Sequence, residues 1–255
     1  MANTKVGTAE ALYLYGISPE VKKAGKNTAR IAASGIDGVH GVDALPCGGF
    51  LCWVSQVDQS AFAKALETNM ENLDWLAEHG VRHQEAVAEI ARNATIVPAR
   101  FGTLFSGPAA LEKNIRSREK ALNQVFEKIA DADEWGVKVF NERQPHTPAV
   151  TAAAATGREY LQEKAARIKR RPESSNEEVR ELGDALASVA RDSAPSGKVS
   201  GGQVDLVWQA TFLVPRKKHA QWERVLREFV ERWSGTRRIE VNGPWPPYSF
   251  VGDAG

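Results

Sequence analysis

Short strand-like runs and amphipathic helical runs follow one another along this chain, but without a strict β-α-β-α repeat. That order excludes a doubly wound parallel sheet and points to an α+β fold. Residues 11–17 form an apolar and aromatic run too short for a helix and rich in strand formers. Two further extended runs, 36–45 and 49–57, flank Pro46-Cys47-Gly48-Gly49 and read as a hairpin. A helix is expected to open at Asp58-Gln59-Ser60, with Phe62, Leu66, Met70, Leu73 and Leu76 at helical spacing. Gly80 is expected to break it, and a second helix to cover about 81–92. Residues 95–101 read as a strand that Pro98 confines to an edge or a bulge. Pro108 suits a first helical turn, and the apolar positions from Leu111 to Ile129 predict one amphipathic helix.

The second half repeats the mixture. Residues 134–141 alternate as a strand, and 156–192 carry equal numbers of basic and acidic residues at helical spacing. Pro172 and the Ser174-Ser175-Asn176 cluster divide that stretch into a solvated helical pair. Residues 193–203 read as a loop, 204–214 as a strand, Trp222 to Trp233 as the best amphipathic helix, and 237–241 as a last strand. Two lobes follow: an N-terminal α+β domain over 1–130 and a C-terminal one over 131–255. The latter is a split βαβ-like sheet that includes the helical pair at 150–192 and an aromatic, proline-rich tail at 243–251.

Charge and cysteine content narrow the function. The 255 residues hold 33 Lys+Arg against 32 Asp+Glu, a net charge of +1, so no global field draws nucleic acid or anionic lipid. Cys47 and Cys52 have no second pair to complete a zinc site, and they read as reduced core thiols, although a bridge across the hairpin is conceivable. No run of about 18 apolar residues is present, so no membrane span is expected. The first ten residues lack the apolar stretch of a signal peptide, and the expected location is cytoplasmic.

Candidate chemistry is sparse. His79 and His83 have the i,i+4 spacing of helical zinc ligands, but the accompanying Glu is missing and Arg82 intervenes, so they read as surface or capping residues. No nucleophile elbow and no phosphate loop occur. Gly35-Ile-Asp-Gly38-Val-His-Gly41 precedes a strand where a dinucleotide fingerprint needs a helix. The expectation is no catalytic residue, no metal site and no cofactor. Arg100-Phe101-Gly-Thr-Leu-Phe105 is less ordinary: its arginine either binds an anion or ties an internal carboxylate. The stiff tail with Trp245, Tyr248 and Phe250 either straps the protein's own sheet or inserts its aromatics into a partner.

Four segments in order carry a resemblance: Leu12-Tyr-Leu-Tyr-Gly-Ile17, Ile96-Val-Pro-Ala-Arg-Phe-Gly-Thr-Leu-Phe105, Glu134-Trp-Gly-Val-Lys-Val-Phe140 and Gly243-Pro-Trp-Pro-Pro-Tyr-Ser-Phe-Val251. Together they resemble the gas vesicle protein GvpF/GvpL family across essentially the whole chain. The resemblance implies two α+β domains, the C-terminal one a modified ferredoxin-like fold. It also implies an accessory or minor structural role in gas vesicle assembly, with the hydrophobic shell protein GvpA and other gas vesicle proteins as partners and no enzymatic activity. A protein that shields such a shell subunit needs a groove or sheet edge rather than a catalytic pocket. The expected partner-binding residues are Arg100, Phe101, Phe105, Trp245, Tyr248 and Phe250. The competing expectations are an enzyme with an anion site at the Arg100 turn and a scaffold recruiting other proteins through the helical pair.

Overall fold

The computed structural model describes residues 10–20, 30–69, 71–142, 173–195 and 205–252. They fall into two compact units, one comprising the chain up to Glu134 together with Pro244 onward, the other Trp135–Gly243. The expected lobes put the tail with the second domain, whereas from Pro244 on the chain packs with the first.

The first unit is built on a six-stranded sheet of order β2-β3-β4-β1-β5, with β6 also paired to β1. The strands are β1 (Glu10–Pro19), β2 (Arg30–Ser34), β3 (Gly41–Cys47), β4 (Phe50–Asp58), β5 (Val97–Pro98) and β6 (Leu104–Phe105). β1 is buried along nearly its whole length, because alternate residues face opposite sides and both sides are covered. Ala11, Tyr13 and Tyr15 join the cluster formed with Ala86, Val87 and Ile90 of α2 (Leu73–Asn93). Elsewhere on the sheet, Phe50 stacks on Phe126 of α4 (Glu119–Ile129), 5.6 Å between centroids.

The expected hairpin is β3–β4, paired antiparallel and closed by Gly48-Gly49. Both glycines have positive φ, 57° and 86°, which a two-residue turn matching the strand twist requires. Cys47 and Cys52 are free, buried thiols beside that turn.

Helix boundaries depart from expectation at two places. α1 (Gln59–Asn69) ends well before Gly80, and α2 begins where the Asn72 side chain accepts bonds from the Asp74 and Trp75 amides. Gly80 lies inside α2, where its cost of about 1 kcal/mol is too small to break so long a helix. The run from Leu111 to Ile129 is two helices, α3 (Pro108–Ser117) and α4, with Arg118 off helical geometry between them. Pro108 occupies the first turn of α3 as expected.

The second unit has a four-stranded sheet of order β10-β7-β9-β8. Its elements are β7 (Ala132–Asn141), α5 (Glu173–Val189), β8 (Asp192–Pro195), β9 (Leu206–Pro215), α6 (His219–Arg232) and β10 (Arg237–Trp245). Val137, Val139, Leu182, Leu186, Phe212, Trp222 and Phe229 form its core. Two details differ from the sequence reading. Asp192–Pro195 pairs with β9 instead of forming a loop, and the Ser174-Ser175-Asn176 cluster lies within α5 instead of before it. The first helix of the expected pair lies outside the described residues.

Candidate partner-binding site

The Arg100-Phe-Gly-Thr motif interrupts an edge strand of the first unit. On one side of the interruption Gly16 and Ile17 of β1 pair with Pro98 and Val97. On the other, Leu12 and Tyr13 pair with Phe105 and Leu104. Between them, Ala99 N–H donates to the Tyr15 carbonyl (2.9 Å) and Leu14 N–H to the Thr103 carbonyl (3.0 Å). Residues 100–102 are therefore looped out of a strand that otherwise runs continuously along β1. Pro98, which has no N–H, is tolerated here because β5 is at the sheet's edge.

The loop closes on itself and onto the core. The Arg100 carbonyl accepts from the Thr103 amide (3.2 Å) and the Thr103 hydroxyl (2.7 Å). Gly102 has φ 85°, a conformation that favours glycine, and its N–H donates to the Tyr13 hydroxyl (3.1 Å). Phe101 is thereby set edge-on to Tyr13, His83 and Trp75, at 6.4, 5.9 and 6.5 Å.

A polar network stands behind these rings. His83 is 2% exposed, with Nδ1 2.9 Å from the Tyr13 hydroxyl and its ring stacked 5.7 Å from Tyr15. Tyr15 hydrogen-bonds Ser55 (2.9 Å) and accepts from the Ile36 amide (2.6 Å). Burial pushes the His83 imidazole down to about 4 and the Tyr15 phenol up to about 12, and it also raises Tyr13 and Tyr248. At neutral pH all four groups are uncharged, each held by a hydrogen bond and none matched to proton transfer near pH 7.

The half-buried front of this cluster is aromatic. Trp75 and His79 stack on one another at 4.0 Å on α2, and the His79 Nδ1 lies 2.9 Å from the Trp75 carbonyl. Phe62 of α1 packs edge-on to Tyr13 and close to both Trp75 and His79. Arg100 is exposed beside this front, and Phe101 and Phe105 are half-buried.

The tail residues are placed differently. Pro246 and Pro247 are buried, and Phe250 is 4% exposed, with the Lys128 ammonium 5.5 Å from its ring centroid. The Ser249 amide and hydroxyl donate to the two oxygens of Glu134, at 2.8 and 2.7 Å. The Tyr248 hydroxyl lies 3.4 Å from His83 Nε2. Tyr248 and Phe250 thus strap their own unit, while Trp245 stands 52% exposed. Arg100 and Phe101 share the loop; Phe105 pairs with Leu12 and so alternates to the other face of the sheet from Tyr13 and Leu104; Tyr248 joins the cluster from behind, through His83.

The sequence reading did not single out Trp75 as part of a site, and it put His83 at the surface or in a helix cap. The available signal was β1 itself: two tyrosine hydroxyls in a buried strand need partners. Among the described residues, no group of three or more potential ligands could hold a metal ion, and no helix is long and apolar enough to cross a membrane.

Comparison with known proteins agrees with the resemblance. The family model described as gas vesicle synthesis protein GvpL/GvpF matches residues 11–252. Gas vesicle protein L of Streptomyces sp. is 27% identical over 240 residues, covering 86% of this chain and 88% of that protein. Gas vesicle protein F1 of Halobacterium salinarum is 22% identical over 242 residues, covering 95% and 93%. The fold matches the crystal structure of GvpF from Anabaena sp. PCC7120 with a TM-score of 0.68, at 19% identity and 95% and 96% coverage. GvpF from Microcystis aeruginosa matches with a TM-score of 0.65, at 20% identity and 94% and 98% coverage.

Proposed function

The chain belongs to the GvpL/GvpF family of gas vesicle synthesis proteins, and on that premise we propose that it works in gas vesicle assembly by binding the hydrophobic shell protein GvpA. It acts in the cytoplasm as an assembly chaperone or nucleation component, in company with other gas vesicle proteins, and performs no covalent chemistry. The observation that carries this reading is the aromatic front of Trp75, His79 and Phe101 at a sheet edge, with exposed Arg100 beside it. Large aromatics and arginine are the side chains that dominate binding energy at interfaces. A shell subunit destined for a gas-tight wall carries apolar surface that aggregates unless it is covered. The titratable groups behind the front favour binding over catalysis, because their shifts come from burial within a packed core. We also read the second unit as a modified ferredoxin-like lobe. Among the described residues, its β-α-β-β-α-β element order and its β10-β7-β9-β8 strand order support that.

Co-expression with GvpA followed by affinity capture tests the function. The expected result is retention of GvpA by the wild-type protein and loss of most of it by Trp75→Ala, a truncation worth about 2 kcal/mol at a hot spot, or roughly thirtyfold in affinity. Arg100→Glu should weaken capture as well. Failure of the folded wild-type protein to retain GvpA overturns the function, and full retention by both variants moves the interface elsewhere.

A further inference from the structure

The aromatic front is not bare, because α1 lies across it. Phe62, itself 7% exposed, meets Tyr13 at 5.6 Å, Trp75 at 6.2 Å and His79 at 6.4 Å. One turn later Leu66 closes over the loop: its Cδ2 is 3.3 Å from where a Cβ on Gly102 would lie. The first turn of α1 has no acidic residue and its last turn no basic one. At 11 residues it is also shorter than helices that persist without tertiary support. α2, by contrast, carries the Asn72 cap, Asp74 in the first turn and Arg92 in the last.

The surface beneath does not depend on α1 for its shape. Trp75 and His79 hold each other on α2. Tyr13 is fixed by His83 and by the Gly102 amide, and Phe101 by the looped-out turn. Lifting α1 would uncover a platform already organised for binding, so little ordering cost opposes a new occupant.

We propose that this platform is a receptor for an amphipathic helix, that α1 occupies it in the free protein, and that a helix of the bound partner takes α1's place. This rests on the proposed function for its partner and goes beyond it in naming the mode of docking. What α1 presents defines the replacement: large apolar residues at i and i+4. Charge adds a second requirement. Arg82 is paired to Glu78 at 2.7 Å, whereas Glu71 and Asp74 stand exposed next to Trp75 in the chain. The incoming helix therefore carries Lys or Arg beside its apolar anchors to meet these two carboxylates, and an acidic residue where it meets the exposed Arg100.

Hydrogen exchange on the full chain tests this, with three probes: GvpA, a synthetic helix with Phe and Leu at i,i+4 flanked by lysines, and the same helix flanked by glutamates. GvpA and the lysine-flanked helix should accelerate exchange in α1 while protecting the start of α2; the glutamate-flanked helix should bind more weakly. The Phe62→Ala, Leu66→Ala double variant should bind both effective probes on the order of tenfold more tightly, since less of the protein is in the covered state. Should that variant fail to fold, the wild-type exchange pattern still decides. Binding of GvpA with α1 protected or unchanged overturns helix exchange and leaves the functional reading standing. Absence of GvpA binding by both wild type and variant overturns both.

Discussion

Burial of His83 disfavours an imidazolium more than its hydrogen bond to the Ala99 backbone favours one, and its pKa falls from 6.5 to about 4. Between those two values the unfolded chain binds a proton that the native state refuses. Stability therefore falls as pH drops through that window, by an amount approaching 3 kcal/mol (order of magnitude, about 1.4 per unit) near pH 4. Glu134 works in the opposite sense. Burial raises its pKa, so its ionisation opposes folding as pH rises through the raised value, and acidification relieves that cost. His83→Gln keeps polar atoms near Tyr13 but cannot titrate. Its denaturant midpoint should change less than that of the wild type between pH 7.5 and pH 5, and equal changes would show that the histidine is not held neutral. The i,i+4 spacing of His79 and His83 was visible in the sequence; His79, half-buried inside α2, bonds back to the Trp75 carbonyl of its own helix and caps neither end. The burial of His83 was not visible, because which face of α2 meets β1 is set by contacts about seventy residues away in sequence.

Among the elements, those fixed by local rules were legible. The β3–β4 hairpin follows from Gly48-Gly49, the start of α3 from Pro108, and the edge position of β5 from Pro98. Elements defined by a partner were not. β8 pairs with β9 through Asp-Ser-Ala-Pro, a loop composition that becomes a strand only because β9 is there. β2 (Arg-Ile-Ala-Ala-Ser) carries no aromatic or alternating pattern strong enough to be noticed. Its register shows why it holds: Arg30 faces Asp43 and Ser34 faces Gly41, so β2 has extra residues between the two pairs. Within that bulge the Ala32 and Ala33 amides both donate to Glu89 of α2, at 2.8 and 2.9 Å. One carboxylate thus occupies two donors on an edge strand that would otherwise invite pairing. Glu89→Ala should cost about 1–3 kcal/mol, measured by chemical denaturation, and should introduce concentration-dependent self-association detectable by light scattering. A variant as stable and as monodisperse as wild type would remove both roles from Glu89.

At the scale of the whole molecule, the first unit is assembled from two stretches of chain separated by the entire second unit. The second stretch is short, so its attachment depends on a few strong contacts. Phe250 and Val251 are buried, and Ser249 satisfies both oxygens of a Glu134 that is only 7% exposed. The Pro-Pro-Tyr-Ser-Phe motif was therefore legible as an interaction feature, but the sequence could not say whether it acts in cis or in trans. The distinction depends on Glu134, which in the strand pattern looks like any residue opening a β-strand. Ending the chain at Gly243 would strip the hydrogen bonds from that carboxylate and open the apolar surface beneath Phe250. Loss of the bonds alone costs about 1–3 kcal/mol, and a buried Phe truncation about 3–5 kcal/mol. Ser249→Ala isolates a smaller part, on the order of 1 kcal/mol, because the backbone amide still donates to Glu134. In hydrogen exchange, the truncated chain should lose protection in β1, β4 and α2, with β9 and α6 of the second unit as the internal reference. Equal loss in both units would mean that the tail stabilises the chain as a whole, and unchanged protection in β1 would mean that the strap contributes nothing to the unit it closes.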